Sequence, residues 1–326
     1  MKNINGYEYR PQSEFWEFFL EQDDASSLLK YDVPAKMRND LFKKYVSVVN
    51  IETSSYCNRM CSYCPVVDLE KKTKEYIGED SFNSTLKVLS DIDYRGIFTL
   101  NLFNEPLAAA NDFIKRVGEV RAACPSSFIR MNSNGDYLTK ALLSDLIEAG
   151  LSEMLVTLHV KGDEKYDDIA QLNKMKALMI KVGIEEHAEL MNHEENRNIT
   201  FEINVLGCRI LFVSNNWSIY GNDRGGSLEM PDTNIRKTPC VVPFREIVVD
   251  YTGDVVICWN VFRDSKSAIG RISERSIVDI YFDRPAVDLR REMFTFGEKA
   301  GIHKTCNVPS FAKDQSNDKR IKLLEL

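Results

Sequence analysis

From Val46 onward the chain alternates short β-branched runs with stretches of helical periodicity, and this alternation limits the folds open to it more than any other feature. VSVVNIE reads as a strand, SFNSTLKVLSDI as a helix, GIFTLNLF as a strand and NDFIKRVGEVRAA as a helix. FIRMN, TKALLSDLIEAG and EMLVTLHV continue as strand, helix and strand. A longer helix is predicted from about Glu164, with Ile169, Leu172, Met175, Leu178 and Val182 at helical spacing. Ser81 and Thr139 are the expected N-caps and Gly150 an expected C-cap. Strands separated regularly by helices build βαβ units of a parallel sheet. Such sheets carry their sites at the carboxyl edge, in the loops after the strands.

Beyond Gly183 the alternation stops. ITFEINVLG and CRILFVSNN read as two strands with no helix between them, and EEHAELMNHEENRN has no assignable period. GNDRGG and MPDTNIRKTP turn Gly, Pro and Asp-rich, which sets a boundary at about 225–239. PFREIVVDYTGDVVICWN then reads as a β-hairpin turning at YTGD. Ahead of Val46, SEFWEFFLEQ and PAKMRNDLFKKY are predicted helices. The expected organisation is an N-terminal helical extension (1–45), an α/β domain (46–235), a small β-hairpin and helix domain (236–312) and a polar tail (313–326).

With 42 basic and 49 acidic residues the formal charge is −7, spread along the chain, which speaks against a nucleic-acid or anionic-membrane partner. No apolar run approaches the roughly 18 residues of a membrane span, and the N-terminus has no basic and apolar leader pattern. The expected compartment is the reducing cytoplasm, where eight cysteines need another explanation than disulfides. Cys57, Cys61 and Cys64 form C-x3-C-x2-C directly after the first strand of the alternation. Zinc would want a fourth ligand, commonly from a second C-x2-C pair, and none is nearby. A [4Fe–4S] cube held by three cysteines leaves one iron open to a small chelating molecule.

ETSSYCNRMCSYCP resembles the signature loop of the radical S-adenosylmethionine (SAM) enzymes, which comes after the first strand of a partial (β/α)6, TIM-like barrel. FNEP (Phe103–Pro106) is similar to that family's Gly-Gly-Glu-like element at the end of the second strand, which implies SAM amino-group contacts from Asn104 and Glu105. NSNG (Asn132–Gly135), ending the third strand, resembles the segment reaching the SAM carboxylate or ribose, through Ser133 and Asn134. Tyr63 stands where an aromatic touches the adenine. The resemblance implies that SAM chelates the open iron, that an electron from a flavodoxin- or ferredoxin-like donor cleaves its C–S bond, and that the resulting 5′-deoxyadenosyl radical abstracts hydrogen from an unactivated C–H.

PCVVPFREIVVDYTGDVVICWN, with IGRI after it, resembles the start of the SPASM and twitch domains appended to such enzymes. That likeness implies a second, auxiliary [4Fe–4S] cluster held by Cys240, Cys258 and Cys306. Twitch domains close with C-x2-C, whereas the position three after Cys306 is Pro309. The fourth corner is then either open or filled by a group such as Cys208, His303 or an Asp or Ser, and the alternative is three ordinary buried thiols.

For substrate work, GNDRGG (Gly221–Gly226) is similar to the Asn-Arg-Ala-Gly element of twitch dehydrogenases, implying that Arg224 faces the substrate, although Asp223 is an insertion in that pattern. A solvated surface Arg is the alternative. Cys208 is a candidate thiol hydrogen donor of the kind radical epimerases use, against a small buried hydrophobe. His159 is a candidate proton acceptor, against a packed core histidine. Cys124, before Pro125, reads as structural. The expected activity is oxidation or epimerisation at a C–H of a small polar substrate: a sugar, aminocyclitol or nucleoside. A ribosomal-peptide maturase and a non-catalytic iron–sulfur electron carrier are the alternatives. The first of these wants a longer N-terminal module than about 45 residues provide, and the second has no need of FNEP or NSNG.

Overall fold

The computed structural model describes residues 2–4, 7–68, 73–160, 164–228, 235–256, 258–263, 267–308, 312 and 317–325. Pro309, part of MPDTNIRKTP and most of the junction to the C-terminal tail lie outside the described residues. In chain order the first elements are β1 (Lys2–Ile4), β2 (Tyr7–Tyr9), α1 (Gln12–Leu20), α2 (Ala35–Tyr45), β3 (Val48–Ile51) and α3 (Glu79–Asp91). Then come β4 (Ile97–Thr99), α4 (Ala110–Ala123), β5 (Phe128–Ser133), α5 (Lys140–Glu148), β6 (Glu153–Thr157) and α6 (Asp168–Val182). They are succeeded by β7 (Glu189–Glu194), β8 (Asn198–Val205), β9 (Cys208–Asn215) and α7 (Trp217–Tyr220). The last group is α8 (Val242–Arg245), β10 (Glu246–Val249), β11 (Asp254–Val256), β12 (Ala268–Arg271), α9 (Ile277–Phe282), α10 (Arg284–Phe294) and α11 (Asp318–Glu325).

The chain divides into two compact units that are discontinuous in sequence: 51–76 with 97–221, and 1–50 with 77–96 and 222–326. They do not coincide with linear cuts at 45, 235 and 312.

In the first of these units the strand order is β4-β5-β6-β9-β8-β7. β4, β5, β6 and β9 run parallel, in register Ile97↔Phe128, Arg130↔Glu153 and Glu153↔Arg209. Helix α4 buries Phe113, Val117 and Val120 at helical spacing. Helix α5 is capped by Thr139, whose hydroxyl accepts from the Leu142 amide, and Gly150 stands just past its end at φ +102. Helix α6 starts at an Asp167 cap and ends on left-handed Gly183. Its buried face is Gln171, Met175, Met179 and Val182, so the expected stripe is right at two positions, while Ile169 is 71% exposed.

The sheet is finished by an antiparallel meander instead of a further βα unit. β8 pairs β9 from Asn198↔Asn215 to Val205↔Cys208, and β7 pairs the other side of β8. Leu206 and Gly207 both take positive φ (50° and 86°), the two-residue turn whose twist suits a tight hairpin. β7 lies in the stretch that has no assignable period, and every residue in it is exposed. A strand solvated on both faces carries no alternation to read.

In the other unit the strand order is β12-β11-β10-β3, with β10 and β11 forming the expected hairpin. Asp250 builds its turn: one carboxylate oxygen accepts from the Thr252 amide (2.8 Å), the Thr252 hydroxyl (2.6 Å) and the Asp254 amide (3.1 Å). Gly253 supplies the positive φ of 88°. Phe15, Trp16 and Phe19 of α1 pack against Phe244 and Phe294 with ring centroids 5.2–6.3 Å apart. The Arg320 guanidinium caps this cluster, 4.3 Å from the Trp16 ring. The N-terminal helices therefore share a core with the C-terminal segment. Helix α3 begins at Glu79 with Gly78 in the cap position, so Ser81 sits inside the first turn, where its carbonyl accepts from the Thr85 hydroxyl.

Candidate active site and a second thiol set

The carboxyl edge of the parallel strands gathers most of the expected cofactor residues within one unit. After β3 comes a buried polar run, Glu52 to Ser55, that anchors the root of the cysteine loop. Glu52 accepts from the Phe103 amide (3.0 Å), and the Ser54 hydroxyl accepts from Asn104 Nδ2 (3.0 Å). Ser55 donates its amide to Glu75 O (2.9 Å) and its hydroxyl to Thr73 O (2.7 Å), tying this run to the strap at 73–76. Asn104, expected at the cofactor, is used by this scaffold: its Oδ1 takes the Leu102 amide while its Nδ2 holds Ser54.

Glu105 is 2% exposed. Its Oε1 accepts from the Ser133 hydroxyl (2.9 Å) and the Leu107 amide (3.0 Å), and Oε2 from the Asn134 amide (2.6 Å). Burial pushes this carboxyl up to about 7 against those three donors. Oε2 receives one hydrogen bond among the described residues, which leaves a buried acceptor open to a cation. That is the acceptor chemistry a SAM ammonium needs.

The cysteine loop itself is held by charge. Arg59 forks onto Asp136, Nε to Oδ2 at 2.8 Å and a terminal nitrogen to Oδ1 at 2.6 Å. Asn58 donates to Asp136 Oδ2 (2.7 Å) and accepts from Asn134 Nδ2 (2.8 Å). Arg59 holds the Asp136 carboxyl below its ordinary value. Cys57, Cys61 and Cys64 are half-buried, and the charge of Cys61 is felt at both Arg59 and Tyr63. Among the described residues no set of three or more His, Cys, Asp or Glu side chains is drawn together as a metal site. Thiols become ligands as thiolates, their protons released to solvent when metal binds, so three on one short loop beside a fixed guanidinium suit an iron–sulfur group.

Tyr63 stacks on Trp217 (5.0 Å, 19°) and hydrogen-bonds His159 Nδ1. Burial keeps the phenol protonated and lowers His159 to about 4, with Arg59 adding to the drop. The expected proton acceptor His159 is therefore a neutral imidazole here, and a weaker base than an ordinary histidine. Trp217 is a residue that sequence reasoning missed. It begins α7 just after β9, and its place at a carboxyl strand end was the available signal.

Cys208 does not join this site. It opens β9, at the amino end of a strand parallel to β6, and the carboxyl edge lies about 20 Å farther along at ~3.3 Å per residue. Its thiol is buried and pushed up to about 12. Cys124 is the buried C-cap residue of α4.

The other unit holds Cys240, Cys258 and Cys306. Cys240 donates its amide to Met293 O (2.9 Å), Cys306 accepts at its carbonyl from the Arg236 amide (2.8 Å), and Cys258 Sγ accepts from the Asn260 amide (3.4 Å). Burial raises the Cys258 thiol, and Cys240 and Cys306 raise it further, so the three thiols stand within each other's field. Arg224 lies at this set: it donates to Asn260 Oδ1 (3.3 Å). The inserted Asp223 has a purpose here, since it accepts the Gly225 amide (3.2 Å) and the hydroxyl of Thr305, the neighbour of Cys306. Three thiols sharing a field, two of them buried and Cys258 half-buried, fit a metal whose binding would displace their protons to solvent. His303 meets Cys306 through backbone only, its carbonyl accepting the Cys306 amide.

A profile of the SPASM iron–sulfur cluster-binding domain matches residues 240–307, the span of all three thiols. Over 283 residues the chain is 27% identical to the S-adenosyl-L-methionine-dependent 2-deoxy-scyllo-inosamine dehydrogenase of Niallia circulans, covering 84% of this chain and 98% of that one. It is similar to the crystal structure of BtrN in complex with AdoMet and 2-DOIA, with TM-score 0.62 and 23% identity over 83% of this chain and 97% of the other. It is also similar to BtrN in an open conformation, with TM-score 0.55 and 21% identity over 81% and 92%. The structural likeness fixes the fold: a mixed α/β chain with the parallel sheet of a partial radical SAM barrel and a C-terminal SPASM/twitch region. Among the described residues no helix is long and apolar enough to cross a membrane.

Proposed function

We propose, from the premise that this chain is a radical SAM enzyme with a SPASM-type auxiliary-cluster domain, that it is a dehydrogenase oxidising an alcohol carbon of an aminocyclitol. In this reading Cys57, Cys61 and Cys64 hold a [4Fe–4S] cluster with an open iron, and Cys240, Cys258 and Cys306 hold three corners of a second one. Bound to the first cluster, SAM supplies hydrogen-atom abstraction from an unactivated C–H, chemistry that no side chain offers. Glu105 binds the SAM ammonium at its open acceptor, and Ser133 and Asn134 keep that carboxylate aimed. The Arg59–Asp136 fork and Asn58 orient the cysteine loop against the NSNG segment. Tyr63 and Trp217 offer flat faces for the adenine, and the neutral imidazole of His159 stands beside them. Arg224 holds a substrate hydroxyl through its fork of donors. An electron donor of flavodoxin or ferredoxin type serves as reductant.

The observation that carries dehydrogenation over epimerisation is the second thiol set, taken together with Cys208 standing at the far end of β9. Oxidation must dispose of an electron, for which a second cluster is suited. Epimerisation needs a hydrogen donor, and the candidate thiol is not at the edge. Likeness to an inosamine dehydrogenase supports the substrate class. The test is anaerobic turnover of 2-deoxy-scyllo-inosamine with SAM and dithionite in D2O. We expect 5′-deoxyadenosine with stoichiometric ketone, no deuterium at the substrate carbon, and the same products from Cys208→Ala. Recovery of deuterated, inverted substrate would make it an epimerase, and formation of no 5′-deoxyadenosine would remove the reading.

A further inference from the structure

Arg236 is a buried cation without an acidic partner among the described residues. It is 6% exposed, and no carboxylate lies within ion-pair distance of it among the described residues. One terminal nitrogen donates to Thr238 O (2.5 Å), the other meets only the Met293 sulfur (3.9 Å), and Nε is buried without a hydrogen-bond partner. A guanidinium kept in the interior on such terms is costly unless an anion joins it. Its surroundings say where the anion belongs. The Arg236 amide donates to Cys306 O, Met293 is bonded by both Arg236 and the Cys240 amide, and the Arg236 charge is felt at the Cys240 thiol. Lys299, also buried, shares the neighbourhood, its ammonium held by the Glu292 and Thr295 carbonyls. Glu246, the carboxylate whose charge reaches Cys240 and Cys258, is already paired with Arg245 at 3.0 Å.

We propose that Arg236 is the counter-cation of the iron–sulfur group bound by Cys240, Cys258 and Cys306, a positioning residue that holds the anionic cluster and raises its reduction potential. The proposal rests on the second-cluster reading above. Reduction adds one negative charge, and a buried positive charge close by stabilises the reduced form. Replacement by a neutral side chain removes that bias. In the metal-free chain the same replacement relieves a buried unpaired charge, so the apoprotein keeps its fold.

The experiment compares the parent chain with Arg236→Met, Arg236→Gln and Arg236→Lys. Readouts are circular dichroism and thermal melting of the apoproteins, iron per chain after anaerobic reconstitution, and dye-mediated redox titration of the auxiliary cluster monitored by EPR. Expected are apo melting temperatures for the neutral variants at or above the parent's and at least a tenfold fall in the reduced-to-oxidised ratio at fixed potential, equal to about 59 mV for one electron. Arg236→Lys should restore most of it. Loss of the second cluster from both neutral variants with retention in Arg236→Lys supports the same role. A neutral-variant potential within twofold of the parent, loss of cluster from all three, or neutral apoproteins that fail to fold overturns it. If the parent itself binds only one cluster's worth of iron, the second-cluster reading fails, which is a separate result.

Discussion

The two thiol sets are built on opposite plans. Cys57, Cys61 and Cys64 sit on one half-buried loop, held by polar clamps that reach it from Asp136 and Asn134. Cys240, Cys258 and Cys306 are spread over 67 positions and meet only because a hairpin, α10 and the 301–306 turn fold together. The first set is local, so spacing reveals it. The second is tertiary, so it depends on a core being in place. The charges differ as well: beside the first, Arg59 is neutralised by Asp136, while beside the second Arg236 has no carboxylate among the described residues.

The largest test of that contrast removes one thiol from each. Cys61→Ala should take 5′-deoxyadenosine formation to background while about one cluster's worth of iron remains. Cys258→Ala should lower iron by about one cluster, four atoms, and keep SAM cleavage while losing ketone. Iron analysis and nucleoside chromatography read both, and loss of both clusters from either variant would mean the two sets are one cooperative structure.

A smaller effect is expected at Glu105. Its carboxyl, raised by burial to about 7, binds its proton more tightly folded than unfolded, so the apoprotein loses stability as pH rises from about 4.5 through 7. A bound ammonium favours the ionised form. SAM affinity should therefore fall about tenfold per pH unit below 7, with proton release on binding between pH 6 and 7. Calorimetry in two buffers of different ionisation enthalpy measures both, and a flat affinity from pH 6 to 8 would place the cation elsewhere.

The smallest concerns the clamp. Asp136 is over a third exposed, so its pairing with Arg59 contributes at most about 1 kcal/mol. Its folded pKa is depressed, so that contribution is present above about pH 4 and is lost as pH falls through the lowered value. Asp136→Asn should lower the melting temperature by a few degrees at pH 7 and by less at pH 3. An equal loss at both would show that the fork acts by packing.

The βα alternation was legible because helical and strand periods differ and the segments are long enough to show them. NSNG and FNEP could be placed at strand ends from the sequence, but the hydrogen bonds of Asn104 could not: its side chain holds Ser54 and Leu102, 50 and two positions away. The Arg59–Asp136 fork spans 77 positions, and no local pattern announces such a pair. β7 escaped because no face of it is buried. The stripe of α6 was misplaced at Ile169, since an apolar residue at the first turn can face solvent at little loss. His159 could be singled out as a residue, but not its lowered pKa, which comes from burial and from Arg59, 100 positions away.

The sharing of one core by Trp16 and Arg320 has a consequence for the order of events during synthesis. The half of the molecule carrying Cys57, Cys61 and Cys64 has all its residues once translation has passed Gly221. The other half waits for a helix that begins at Asp318, so its core is complete only once that helix has been made. Completion of the second thiol set is then a later event than that of the first, and its three cysteines wait through fewer added residues than Cys57 does.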